Sequence, residues 1–222
     1  MVSRVKATIS EAHDNGIIVA TREIFLHNPF EEEDPGLDYR TATKFLTNLR
    51  VLEADNSQPI VIHQYSTGGE WHAGMAIYDA IKQSPCNFIF ICYGICASMG
   101  TVIAQAVLNK GLRISMPNCD WLIHEGSCAV EGTYKQAFSM YELEKIILER
   151  SYEIYTEACE ETGKHFVGSK NNAAKRFIKK QLNSKEDWWI SPKEAVYYGF
   201  ADGIFGENDF SSLEEIRKNV SS

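Results

Sequence analysis

The apolar run Asn87-Phe88-Ile89-Phe90-Ile91-Cys92 stands a short turn away from a second apolar segment, Thr101-Val102-Ile103-Ala104-Gln105-Ala106-Val107. The first has the length and composition of a buried strand, and the second reads as a buried helix. Between them Tyr93-Gly94-Ile95-Cys96-Ala97-Ser98-Met99-Gly100 places one hydroxyl, that of Ser98, where the strand turns into the helix. At a helix start the unpaired N–H groups and the positive end of the dipole favour negative charge, which acyl-transfer chemistry needs beside its nucleophile. A serine there also caps helices. This segment alone leaves both roles open.

The same alternation runs along the chain. Strands are expected over 17–26 and near 59, 88, 112 and 121, with helices over about 38–54 and near 72 and 98, which predicts an α/β domain. Asn28–Gly36 reads as an acidic loop. From about Thr133 to Glu161 a long helix is expected, with Phe138, Ile146, Ile147, Ile154 and Tyr155 among its apolar positions. Apolar residues on more than one side of such a helix suit burial between subunits better than free projection into water. Lys170–Lys180 has apolar positions at helical spacing and reads as an amphipathic helix with a solvated basic face.

Composition narrows the function classes. With 222 residues and 44% hydrophobic content, one domain spanning residues 1–222 is the simplest expectation. A net charge of -8 and a pI of about 5.3 argue against general nucleic-acid binding. The six cysteines form no Cys-x-x-Cys pair, and no signal peptide precedes them. Free buried thiols in a reducing cytoplasm are therefore expected. No run approaches the length of a membrane span.

Three further segments bear on Ser98. Gln64-Tyr65-Ser66-Thr67-Gly68-Gly69 ends the strand Pro59–His63, and a glycine pair there lets backbone approach a ligand and aim an N–H at it. Asp120–Ile123 is an apolar strand that delivers His124 and is broken by Gly126. Asp187 lies beside Trp188 and Trp189, bulky aromatics expected to shield it from water. It precedes a short helix with Ser191 as N-cap, Pro192 at the first position and Gly199 at the stop. A serine hydroxyl needs a base with a pKa near the operating pH, and a histidine held by a carboxylate meets that need.

The order glycine pair, serine, histidine, aspartate resembles the proteolytic subunit family of the Clp protease. Matches to its motifs fall at Ser66, Gly68, Gly69, Ala97, Ser98, Met99, Gly100, His124 and Asp187, and at Ser191, Glu194, Ala195, Tyr198, Gly199 and Asp202 in the tail. The resemblance spans about residues 17 to 206. It implies a Clp/crotonase-like fold of repeated ββα units, with a head over about 17–132 and 187–206 and a handle helix projecting within about 133–186. It assigns Ser98, His124 and Asp187 as the catalytic set and the N–H groups of Gly69 and Met99 as the oxyanion hole. It also implies that a peptide lies extended between Gly69-Glu70-Trp71-His72 and Glu125-Gly126-Ser127-Cys128, with Gly68, Glu70, Trp71, Gly126 and Ser127 as substrate-binding residues.

The activity so implied is serine endopeptidase action on unfolded polypeptides. It takes place inside a homo-oligomeric chamber of seven-membered rings, stacked as a tetradecamer and fed by an AAA+ unfoldase. No metal or organic cofactor is expected, and no nucleic-acid or membrane partner. Alternatives are a viral-type capsid maturation protease on the same fold, a crotonase-like acyl-CoA enzyme, and a non-catalytic ring subunit.

The chain departs from the family pattern in places. Between Gly163 and Asp187 it is about ten residues longer than usual, so the handle must be rebuilt there. Glu186 replaces an arginine that joins the rings, and Lys170, Lys175, Arg176, Lys179 and Lys180 are expected to replace that contact with a salt-sensitive one. His63 stands where an aromatic of the unfoldase-docking pocket is usual, and Glu125 replaces the usual glutamine beside the histidine.

Overall fold

The computed structural model describes residues 12–26, 36–169 and 172–221. The expected acidic loop therefore lies outside the described residues except for Gly36, as does Lys170. The chain forms an eight-stranded, mostly parallel sheet with helices on its faces, the α/β class expected from the alternation. Its strands are β1 (Ile17–Ile18), β2 (Glu23–Leu26), β3 (Ile60–Ser66), β4 (Phe88–Ala97), β5 (Gly111–Ser115), β6 (Asp120–Ile123), β7 (Trp188–Ile190) and β8 (Gly203–Ile204). The main path runs β1-β2-β3-β4-β5-β8, while β6 joins the far half of β4 and carries β7 antiparallel on its other edge. Residues 17–26 are not one strand as expected. A 3-10 turn over Val19–Thr21 and the left-handed Arg22 (φ 56) fold the segment into an antiparallel pair, β1 against β2.

Alternation along the central strands divides the interior in two. Ile60 and Ile62 of β3 and Phe88, Phe90 and Cys92 of β4 enter the main core, under α1 (Tyr39–Asp55), α2 (Trp71–Gln83) and α3 (Met99–Ala104). Val61, Ile89 and Ile91 point to the other face and meet Ile216 and Val220 of a C-terminal helix that we label α7 (Leu213–Ser221). Each such side chain removed from water contributes about 1.5–3 kcal/mol. Arg217 of α7 pairs with Glu23 at 3.1 Å, and Glu23 meets His63 Nε2 at 3.0 Å. His63 thus belongs to a polar cluster with Glu23 and the Tyr93 hydroxyl, stacked on Phe25, and does not line an open apolar pocket.

The long helix, α4, covers Tyr134–Thr162 and begins at a capping box between Thr133 and Gln136. Its halves differ. Tyr134, Phe138 and Tyr141 are exposed, whereas Tyr152, Tyr155, Ala158 and Cys159 are buried against the core. The basic stretch forms α5 (Ala173–Lys185), which packs Ala174, Ile178 and Leu182 inward. Lys175 and Lys179 both pair with Glu149 of α4, so these two expected ring-to-ring charges are engaged within the chain. The last short helix, α6 (Pro192–Tyr198), has Ser191 and Glu194 as its capping box and the left-handed Gly199 at its end. Of the six cysteines, all free, Cys128 is exposed and the other five are buried, so the expectation of buried thiols fails at that loop position.

Candidate active site

Two strand pairings bring distant parts of the sequence to one place. In the parallel pairing of β4 with β6, Ala97 stands opposite Leu122, so Ser98 and His124 emerge from neighbouring strand ends. In the antiparallel pairing of β6 with β7, Ile123 stands opposite Trp188, so His124 continues toward Asp187. The side chains follow. His124 Nε2 lies 2.6 Å from Ser98 Oγ, and His124 Nδ1 lies 3.4 Å from Asp187 Oδ1. The Nδ1 contact is an ion-pair distance rather than a formed hydrogen bond; a proton carried on Nδ1, beside the carboxylate, leaves Nε2 as acceptor for the serine proton.

Ser98 occupies φ 52, ψ -126, a sparsely populated region that costs about 1–3 kcal/mol for a residue with a side chain. This conformation is imposed by its neighbours. Ser98 N–H donates to Leu122 O at 2.9 Å, and Ser98 O accepts from Thr101 N at 2.9 Å and from Thr101 Oγ1 at 2.7 Å. The Ser98 side chain makes no capping bond to α3. The capping role left open by the sequence is therefore not the one it serves, and its hydroxyl is turned to the histidine instead.

The glycine pair packs directly on this turn. A Cβ on Gly68 would lie 2.5 Å from Ser98 Cβ and 3.1 Å from Ser98 Oγ, so any side chain there would push the serine from His124. On Gly69 a Cβ would meet Leu37 N at 2.3 Å. Leu37 is the contact that orients this segment: its N–H donates to Gly68 O and its carbonyl accepts from Glu70 N, both at 2.7 Å. Backbone groups of successive extended residues point to opposite sides, so the N–H and C=O of Gly69 face away from Leu37. Met99, as the first residue of α3, has an N–H without an intrahelical acceptor. Its side chain is buried against α2, where a Cβ on Gly74 would come 2.3 Å from Met99 Cγ.

Other expected site residues are placed differently. Trp71 and His72 are not extended, because Trp71 opens α2 and its ring packs against the core, leaving only Gly68–Glu70 as an extended edge. Gly126 and Ser127 lie in an exposed segment without strand pairing, where a Cβ on Gly126 would meet open space. Glu125 accepts a hydrogen bond from the Tyr152 hydroxyl of α4. Asp187 is not shielded: its side chain is 55% exposed, because along β7 Trp188 turns into the core and Trp189 turns out, leaving the carboxylate at the rim. Glu186, at φ 58, ends α5 directly before Asp187. Among the described residues no cluster of three or more His, Cys, Asp or Glu side chains could hold a metal ion.

Some structural partners were not foreseen from sequence. Asp202 makes two side-chain contacts to the buried Arg113, at 2.6 and 3.0 Å, and accepts from the Arg113 N–H at 2.7 Å. Leu37, Thr101, Tyr152 and Tyr155 also belong to the surroundings of the site, and only the three-residue spacing of the two tyrosines on one helix was a signal that could have pointed to them.

Comparison with known proteins gives the family and the fold. The family model described as Clp protease matches residues 10–208. The ATP-dependent Clp protease proteolytic subunit of Streptococcus mutans is 28% identical over 193 residues, covering 86% of this chain and 88% of that protein. The same subunit of Streptococcus pyogenes matches with the same identity and coverage. Among solved structures, a ClpP1 mutant from Listeria monocytogenes superposes with a TM-score of 0.69 at 24% identity, covering 87% of this chain and 96% of that one. It supports the fold.

Proposed function

The chain belongs to the Clp protease family, and from that premise we propose that Ser98, His124 and Asp187 are its catalytic triad. The protein is a Clp-type serine peptidase. The observation that carries the triad is the 2.6 Å hydrogen bond from Ser98 Oγ to His124 Nε2. In the reaction Ser98 Oγ attacks the carbonyl carbon of the scissile peptide while its proton passes to Nε2. Negative charge then grows on the carbonyl oxygen, and the N–H groups of Gly69 and Met99 are the donors we assign to it. The C–N bond breaks as Nε2 returns the proton to the leaving amine, giving an ester on Ser98. Water, deprotonated by the same histidine, hydrolyses that ester. Asp187 holds the Nδ1–H tautomer and stabilises the imidazolium.

The substrate in this reading is an extended polypeptide. Its backbone runs along Gly68–Glu70 on the side opposite Leu37, where the polar groups of Gly69 point, and beside the segment through Gly126 and Ser127, so recognition depends little on side chains. Trp71 has no part in that contact. We assign one domain over residues 1–222, with a head at about 17–132 and 187–206 and a handle at about 133–186. The reaction belongs to a chamber of seven-membered rings, served by an AAA+ unfoldase, in the cytoplasm. What supports the chamber is the exposed half of α4, where Tyr134, Phe138 and Tyr141 recur at helical spacing without cover.

Light scattering and a peptide-hydrolysis assay on the same sample test this reading. The expected mass is that of about seven or fourteen chains, with hydrolysis of an unfolded protein. Because the exposed helix face is apolar and Lys175 and Lys179 are engaged with Glu149, the assembly should persist at high salt. Phe138→Glu should break it into smaller species. A monomer at micromolar concentration would contradict the chambered reading.

A further inference from the structure

Tyr152 and Tyr155 stand three residues apart on the docked half of α4 and face the same side. They are 4% and 2% exposed. Each hydroxyl reaches an element that carries a reacting side chain. Tyr155 Oη lies 2.7 Å from Thr101 Oγ1, which lies 2.7 Å from the carbonyl oxygen of Ser98. A carbonyl can only accept, so Thr101 donates to Ser98 and accepts from Tyr155. Tyr152 donates to the carboxylate of Glu125, the residue next to His124. Burial raises the pKa of both phenols, and for Tyr152 the Glu125 bond raises it further, so both remain protonated donors at neutral pH. The inserted helix supports the pair, since Lys179 Nζ lies 4.6 Å over the Tyr152 ring and is anchored to Glu149.

We propose that Tyr155 and Tyr152 are positioning residues for the peptidase reaction: Tyr155 acts through Thr101 on the strained turn of Ser98, and Tyr152 acts through Glu125 on the strand end that carries His124. The proposal rests on the triad assigned above. A backbone at φ 52, ψ -126 persists only where its surroundings over-determine it, and the Thr101 hydroxyl supplies one of the two bonds to its carbonyl. Without Tyr155 the Thr101 hydroxyl loses the donor that fixes its rotation. Ser98 Oγ and His124 Nε2 must stay within hydrogen-bond reach, and small displacements there slow the reaction without weakening peptide binding. The tyrosines act through other residues, so kcat should respond and KM should not.

The test is steady-state peptide hydrolysis on the assembled protein, together with the rate at which a fluorophosphonate labels Ser98. Tyr155→Phe, which keeps the ring against Phe200, and Thr101→Val should each lower kcat and the labelling rate about tenfold, with KM changed less than about twofold. The double variant should be no slower than either alone, because the two groups form one chain of bonds. Thr101→Ser, which keeps the hydroxyl, should restore the rate. Tyr152→Phe and Glu125→Ala should share a loss of about fivefold, and Glu125→Gln, which keeps an acceptor, should avoid it. Wild-type rates in both tyrosine variants, or losses that add in the Tyr155→Phe/Thr101→Val double variant, would overturn the proposal. Failure of the wild-type protein itself to label at Ser98 would overturn the triad and with it the proposal, an outcome distinct from equal labelling of wild type and Tyr155→Phe.

Discussion

Ser98→Ala should lower kcat by about three to six orders of magnitude, with fold and assembly intact. The methyl group fits the space of the hydroxyl, and the strained backbone keeps its bonds from Ser98 N–H to Leu122 O and from Thr101 N to Ser98 O. His124→Ala should cost about as much, because a serine hydroxyl without its base is a weak nucleophile. The double variant should be little worse than either, since the two residues act as a unit. Peptide hydrolysis, with circular dichroism as the control for folding, measures all three.

The second large effect separates two aspartates that lie close in sequence. Asp187→Asn should lower kcat about a hundredfold to a thousandfold without loss of stability. The loss is smaller than a buried triad aspartate gives, because this carboxylate is 55% exposed and 3.4 Å from Nδ1. Asp202→Asn should do the reverse. Arg113 is 1% exposed, and besides its ion pair with Asp202 its guanidinium is held by Gln105, Thr162 and the Gly199 carbonyl. Neutralising its partner leaves a buried charge short of compensation. That should cost about 3 kcal/mol and lower the melting temperature by about 10 °C, with kcat little changed below the transition. Thermal melts and hydrolysis rates on both variants give the ranking, and the opposite order would mean that Asp202 is the third member.

These contrasts show which parts of the molecule were readable from its residues. Ser98 at the junction of β4 and α3 was legible, because an apolar strand and an apolar helix separated by a short turn admit little else. The start of α4 at Thr133 and the stop of α6 at Gly199 were legible for the same reason: capping and left-handed turns are local chemistry. The meeting of His124 with Asp187 was reached only through a resemblance, since it depends on the antiparallel register of β6 and β7, strands 65 residues apart at the pair Ile123 and Trp188, and no local signal specifies that pairing. Exposure of Asp187 is not legible in the sequence, because two adjacent tryptophans suggest shielding, whereas alternation along a strand sends only Trp188 inward. Trp71 belongs to the helix and not to an extended segment because the helix begins three residues earlier than its apolar pattern from Gly74 suggests. The role of α7 has no local signal in the sequence. Its Ile216 and Val220 are only two buried side chains, and their partners on β3 and β4 lie more than a hundred residues away.

The central claim is that Ser98 is the nucleophile, and mapping a covalent adduct tests it most directly. After incubation of the native protein with a fluorophosphonate, tryptic peptides should carry one phosphonylated residue, Ser98. Labelling should be absent in Ser98→Ala and slowed in His124→Ala. An adduct that persists in Ser98→Ala, or one found on another serine in the wild-type protein, would contradict the assignment.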